Sequence, residues 1–355
     1  MIADDASLAE LVDKLGANSQ IALDTEADSL HCYFEKLCLI QVSSEAGHWL
    51  VDPLAGLNLQ PLFDLVCSRR LVFHGADYDL RLLRRVGTFE PVDLFDTMVA
   101  ARLCGRAGLG LAALVEGFFG IKLSKASQKA NWAIRPLSEQ MVAYALNDTR
   151  YLLEIAATLE ADLRSLGRWT WFEESRDRMI ASTRETKERD DNTVWRISGS
   201  SVLSPRAQAV LRILWFWRDA ESRAWDRPPF HVMGNEDMLR VADQVSKGDA
   251  YSAPRMNGRR RKSFEVVLAL ALQIPENEWP RIEKVRRKRA SKDHLVRFDA
   301  LKKIRDSVAT DLGLDPAIIA PRGALEATAE DAASPVLMNW QRELLGLDVL
   351  TDSHA

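Results

Sequence analysis

Five side chains in this 355-residue chain stand out by type and spacing. Asp24 and Glu26 lie two apart in the β-rich run IALDTEA, and a strand turns both carboxylates to one face. Two such neighbours repel and lose solvation unless a cation lies between them, and their hard oxygens suit Mg2+ or Mn2+. For the pair alone, a plainer reading is equally open: both acids reach water at a strand end. In YALNDTRYLL, Tyr144 and Asp148 stand four apart on an amphipathic helix and point at one spot, although for this pair alone a core tyrosine with an aspartate on its wet edge is the plainer reading. Asp77 and Asp79 open a helix just after the apolar strand in LVFHGADYDLRLL. Asp77 reads as an answer to the helix dipole, whereas Asp79 is a candidate ligand, because α/β sheets present their sites at the carboxyl ends of strands.

These residues need elements to position them. After an opening helix, β-rich runs begin at Ile21, Leu37 and His48, and their short connections predict an antiparallel meander. A helix near Leu57 to Cys67, a strand from Leu71, a helix from about Ala76 to Val86 and a short strand around Val92 to Phe95 follow. Mostly helix then runs to about Leu166, so the fold class is α/β, a mixed sheet flanked by helices. Residues 176–200 turn polar, with RETKERDDNT at their centre, and read as a linker, or a solvated helix end leading into one, after a first domain of 1–175. Beyond Ser204 strand signals vanish. VLRILWFWRDAESRAWD and PPFHVMGNEDMLRVAD repeat more weakly as ALKKIRDSVATDLGLDP and AIIAPRGALEATAE. Arg218–Asp219 and Arg305–Asp306 precede a proline by about ten residues and Leu239 or Leu325 by about twenty, which reads as a duplicated helical module. The domains are then 201–280 and a degenerate copy within 281–355, with Trp215, Trp217 and Trp225 as core.

Composition bounds the partners. With 47% hydrophobic and 28% charged residues the chain is globular stock. No apolar run approaches a membrane span, and the acidic start MIADDASLAELVDKL is unlike a secretory signal, so a cytoplasmic location is expected. Cys32, Cys38, Cys67 and Cys104 have no CxxC spacing and read as buried thiols. The net charge of -4 conceals eleven Lys or Arg against three acids between Arg281 and Arg305, which suggests contact with nucleic acid.

Taken in order, DTE, HGADYDL, Phe95–Asp96–Thr97, WAIRPLS and the Tyr144-x-x-x-Asp148 spacing resemble the ribonuclease D family, in the tyrosine branch of the DEDD 3'-5' exonucleases. The likeness covers about Ile21 to Ile155, and VLRILWFWRDAESRAWDRPP is similar to that family's C-terminal HRDC domain. The resemblance implies a ribonuclease-H-like exonuclease domain followed by all-α HRDC-type domains. It also implies two-metal hydrolysis of RNA from a free 3' end, with tRNA precursors as the substrate class and nucleoside 5'-monophosphates as products. The catalytic set it implies is Asp24, Glu26, Asp79, Tyr144 and Asp148, the four acids holding two divalent cations, Mg2+ or Mn2+. Asp24 would bridge both, Glu26 and Asp148 would hold the one beside the attacking water, and Asp79 the other. A phenol titrates near about 10, so Tyr144 suits orienting that water better than deprotonating it. Asn131 and Asn147 stand where family members commonly carry Asp. Candidate RNA contacts are Gln41, His74 and Arg135, with Arg259, Arg260, Arg261, Lys262, Arg286, Arg287, Lys288 and Arg289 for phosphates. Two other readings stay open: a DNA exonuclease on the same fold, and a binding scaffold with a vestigial site, against which the intact five residues argue. Oligomeric state leaves no mark in the sequence.

Overall fold

The computed structural model describes residues 1–185, 188–252, 255–280 and 291–348. They form two compact units. One is Met1–Ala27, Leu37–Glu185 and the described part of Arg287–Ala355; the other is Asp28–Lys36 and the described part of Thr186–Arg286. Among the described residues no helix is long and apolar enough to cross a membrane.

The first unit opens with α1 (Asp5–Leu15), capped by the Asp4 carboxylate, which accepts from the Ser7 N–H. Then come β1 (Gln20–Ala27), β2 (Leu37–Ser44), β3 (Gly47–Val51), α2 (Gln60–Cys67), β4 (Arg70–Phe73), α3 (Asp77–Arg84) and β5 (Asp93–Asp96). The sheet order is β3-β2-β1-β4-β5, antiparallel from β3 to β1 and parallel from β1 to β5. The meander and the mixed sheet are both present. Alternation divides the core: Ile21, Leu23, Ile40, Val42, Leu71 and Phe73 pack with α1, α2 and α3. Ala22, Val72 and Phe95 pack on the other side. That side carries α4 (Thr97–Leu103), α5 (Leu111–Phe119), α6 (Glu139–Arg150), α7 (Leu152–Ser165) and the start of α8 (Trp169–Arg184), whose later turns reach the α3 side. Each buried Leu or Phe contributes ~1.5–3 kcal/mol, so two filled faces make the sheet a rigid floor.

The second unit contains α9 (Pro205–Trp225), α10 (Pro229–Val232), α11 (Asn235–Lys247) and α12 (Gly258–Leu272) around Trp217, Met238, Val241 and Phe264. The Asp28–Lys36 loop joins it through Asp226, which has φ 47° and accepts from the Tyr33 and Phe34 N–H groups at 3.0 and 3.1 Å. The stretch expected as a linker, 176–200, begins as a helix end, and its described residues between Glu185 and Gly199 form neither helix nor strand. Its first residues continue α8 to Arg184 and pack Met179 and Ile180 against the sheet core, while Trp195 is 1% exposed inside the second unit. The described residues of RETKERDDNT beyond Arg184 lie past the helix, where the chain passes from the first unit to the second. Trp225, expected in the core, is 47% exposed beneath the Arg260 guanidinium, 4.4 Å from its ring centre.

The repeat is structural. α13 (Lys292–Leu312), α14 (Pro316–Ile319) and α15 (Arg322–Glu330) copy α9, α10 and α11 in order, each series starting from a serine cap, Ser291 or Ser204. Arg218 donates to Met233 O and Arg305 to Ala320 O, at the same place past the short helix. In that register the partner of Leu325 is Met238 rather than Leu239; both are fully buried. The copy then diverges into α16 (Asn339–Leu344), six residues where α12 has fifteen. Its described residues are part of the first unit rather than a domain of their own. Trp340 stacks on Trp171 with ring centres 4.8 Å apart, and Arg168 donates to both Leu103 O and Leu312 O. Gly105, at φ +73°, lies so near that a Cβ there would stand 2.9 Å from the Gly313 carbonyl oxygen.

Candidate active site

Asp24 and Glu26 lie on the face of β1 that α6 covers. α6 starts at Ser138, whose hydroxyl accepts from the Met141 N–H, and the helical spacing then aims Tyr144 and Asp148 at β1. One carboxylate oxygen each of Asp24, Glu26 and Asp148 lies within 4.8 Å of the others. The Tyr144 hydroxyl donates to Asp148, and its ring leans on buried Trp132 at 6.0 Å between centres. Helix and sheet are tied by Ser43 Oγ and Thr149 Oγ1, 2.6 Å apart.

Asp79 arrives from the opposite face. Thr25 points away from Asp24 toward α3, and its hydroxyl donates to Asp79 Oδ1 at 2.5 Å, both residues buried. Three acids therefore form an open ligand set, and the fourth is held beside it. The entry to α3 is shaped by Gly75, at φ +79°, where a Cβ would lie 2.5 Å from Met98 Cε. Asp96, 1% exposed, accepts from the N–H groups of Gly75, Ala76, Met98 and Val99 at 3.2, 2.8, 2.8 and 3.0 Å. It caps α4 and fixes the turn that launches Asp79. Next to it, Thr97 donates its only hydroxyl hydrogen to Phe73 O and so must accept from His74 Nδ1–H, each at 2.9 Å. His74 thus turns a bare, buried and unpartnered Nε2 inward, and burial keeps the ring's pKa below its usual value.

Burial and mutual repulsion dominate the electrostatics. Burial, then Asp79, Asp148 and Glu26, pushes Asp24 well above the carboxylate range. Burial and the two aspartates push Glu26 up to about 9. Burial lifts Asp148 to about 7 against the Tyr144 hydrogen bond, and Asp79 to about 6 against the Thr25 bonds. The Tyr144 phenol is also raised, by burial and then by Asp148, Glu26 and Asp24. Among the described residues, the charged groups that act most strongly on Asp24 and Glu26 are all acids. Clustered hard oxygens that resist ionising on their own fit a divalent cation.

Asp24, Glu26, Asp148, Tyr144 and His74 line a cleft of about 540 Å³ whose other lining residues include Gly108–Ala113, Leu123, Ser124, Lys125 and Gln128. Gly110 starts α5 without a side-chain cap, leaving the first N–H groups for other acceptors. This part of the cleft was missed in the sequence: backbone and small side chains build it, and only the glycine-dense GLGLAAL before a helix hints at it. Several RNA-contact candidates also change role. Gln41 is 0% exposed and cannot meet RNA. Arg135 spends its guanidinium inside the protein: Nε and Nη2 donate to buried Asp52, both at 2.6 Å, Nη2 also to Cys38 O, and Nη1 to Trp132 O and Ile134 O. It pins the loop that leads into α6. Arg260 is buried over Trp225 and beside Glu221, whereas Arg259, Arg261 and Lys262 stay exposed. Arg286, Arg287, Lys288 and Arg289 lie outside the described residues.

A 3'-5' exonuclease domain family matches residues 1–164. A protein of Xanthomonas oryzae pv. oryzae named ribonuclease D is 30% identical, across 96% of this chain and 95% of its own length. One of Bartonella henselae with the same name is 28% identical, across 92% and 83%. Among solved structures, Escherichia coli RNase D superposes with a TM-score of 0.68 at 24% identity, covering 99% of this chain and 92% of that one. The catalytic core of RRP6 from Trypanosoma brucei gives 0.65 at 27% identity, covering 76% and 77%.

Proposed function

The chain belongs to the ribonuclease D family, and on that premise we propose that this 3'-5' exoribonuclease trims structured RNAs, tRNA precursors foremost, to nucleoside 5'-monophosphates in the cytoplasm. The observation that carries the reading is the ligand set of Asp24, Glu26 and Asp148, with Tyr144 bonded to its third member. Those three acids, with Asp79 held nearby by Thr25, are the residues that would hold two divalent cations, Mg2+ or Mn2+. Bound there, the cations supply the positive charge that makes a water nucleophilic and neutralises the departing 3'-oxygen.

The rest falls to the chain's own groups. The raised Tyr144 phenol stays protonated at neutral pH, so it takes no proton from water. Its hydroxyl holds one Asp148 oxygen through a hydrogen bond and orients the attacking water beside it. Asp96 and Gly75 set the α3 turn, and Arg135 and the Ser43–Thr149 bond set α6, so the acids arrive already placed. The uncapped start of α5 and Lys125 line the cleft where the 3'-terminal phosphodiester would lie. We assign residues 201–280 to an HRDC-type domain and the 291–348 helices to a second, diverged copy. The exposed Arg259, Arg261 and Lys262 would meet RNA phosphates.

The test is a 5'-labelled, 3'-extended tRNA beside a matched single-stranded DNA, with Mg2+, Mn2+ or EDTA, for the native protein and Asp24→Ala. A metal-dependent ladder shortening from the 3' end, faster on RNA and absent in Asp24→Ala, is the expected result. Faster attack on DNA would move the substrate to DNA, and binding without cleavage under every metal would make the chain a scaffold.

A further inference from the structure

Gln41 has no partner. Its amide nitrogen and oxygen are both buried and neither makes a hydrogen bond, although the residue is 0% exposed in the middle of β2. Buried amides are nearly always paired, and a Leu or Met would fill this apolar strand without stranding two polar atoms. An orphan here points to a partner that forms when something else binds.

The pairing pattern narrows that partner. Gln41 lies directly opposite Asp24 on β1 and Leu50 on β3. Opposed residues in an antiparallel pair share a face, with Cβ atoms ~4.5–5.5 Å apart. α6 closes that face with fully buried Ala145. The neighbouring hydroxyls are engaged: Ser43 Oγ meets Thr149 Oγ1 at 2.6 Å and His48 Nδ1 at 2.8 Å. The acceptor that the pairing brings nearest the amide is the carboxylate of Asp24, the residue directly opposite.

We propose that Gln41 is a positioning residue for the metal site, its side-chain N–H donating to the Asp24 carboxylate directly or through one buried water. An amide donor favours the ionised carboxylate, the form that binds a cation, and fixes the oxygen that faces away from it. Where a water bridges the two, the amide oxygen accepts from it. The inference rests on the metal-site reading above.

The experiment is Mn2+ binding by calorimetry on the full chain, for the native protein, Gln41→Met and Asp24→Asn, with melting in EDTA alongside. Gln41→Met should melt at or above the native temperature in EDTA yet bind Mn2+ ~10-fold or more weakly. A Gln41→Met protein that melts lower and binds Mn2+ as the native does overturns the proposal, because the glutamine is then merely structural. Native-like binding by Asp24→Asn would instead sink the metal-site reading itself, so the two failures are distinct. Should Gln41→Met not fold, a crystal structure of the native protein with Mn2+ decides. An amide nitrogen within ~3.2 Å of an Asp24 oxygen or of a bridging water supports the role, and an amide bonded elsewhere or still unpaired refutes it.

Discussion

Replacing a catalytic acid should make the metal-free protein more stable. In the folded chain burial lifts the Asp148 carboxyl from 3.8 to about 7, while in the unfolded chain it titrates near its ordinary value. As pH rises between those values, the unfolded form releases a proton that the folded form keeps, so stability falls; above about 7 the loss is complete. At ~1.4 kcal/mol for each pKa unit, a rise of about three units sets a ceiling of ~4 kcal/mol, and relaxation of a half-open cleft brings it to ~1–3. Asp148→Asn keeps an acceptor for the Tyr144 hydroxyl and removes the charge, which also relieves Asp24 and Glu26. In EDTA near pH 8 the variant should therefore melt ~4–8 °C above the native protein. Near pH 5 the advantage should shrink to less than half, since most of the titration window lies above that pH. Millimolar Mg2+ should then raise the native melting temperature and leave the variant unmoved. An advantage equal at both pH values, or a native protein more stable at pH 8, would refute the account of a site strained by its own charge.

Tyr144→Phe should slow RNA hydrolysis ~100-fold at saturating metal while Mn2+ binding by calorimetry stays within about twofold, since the phenol orients water and ligates nothing. Asp96→Ala strands four N–H groups around α3 and α4 and should lower stability by ~2–4 kcal/mol in denaturant titration, with Mn2+ affinity falling because Asp79 loses its launch point. Arg135→Met leaves Asp52, 5% exposed, without its guanidinium and should cost ~3–5 kcal/mol by the same titration. At a temperature where that variant is still folded, its affinity for RNA by fluorescence anisotropy should match the native protein's.

What could be read from the sequence was what local spacing determines. Tyr144 and Asp148 share a helical face by an i, i+4 rule, and Asp24 and Glu26 share a strand face by alternation, but that the two pairs and Asp79 belong to one set came from the resemblance of their order and spacing to the exonuclease family. The helical repeat was legible from local spacing, because each Arg and the proline after it belong to one helix–turn–helix step. Gln41 and Arg135 were misread because their surroundings come from far along the chain. LCLIQVSS offers no hint that α6, about a hundred residues later, will seal the face carrying Gln41. Arg135 finds Asp52 at a sequence distance of 83 residues. RETKERDDNT starts at the end of α8, and its described residues beyond Arg184 form no regular element, as the composition suggests; what composition did not show is that Met179 and Ile180 before it and Trp195 after it are packed into cores.

The late helices that share the nuclease unit bear on how the protein is made. A ribosome delivers residues in order, and Gly105, Arg168 and Trp171 emerge long before α13 and α16, with about a hundred residues of other structure between. Until then Trp171 lacks the ring it stacks on and Arg168 lacks one of its two carbonyl acceptors. The nascent nuclease thus waits in an unfinished state whose bare apolar surface can recruit chaperones or proteases. A message broken before codon 291 yields a polypeptide that carries Asp24, Glu26, Asp79 and Asp148 but leaves Arg168 and Trp171 without the late helices they pack against.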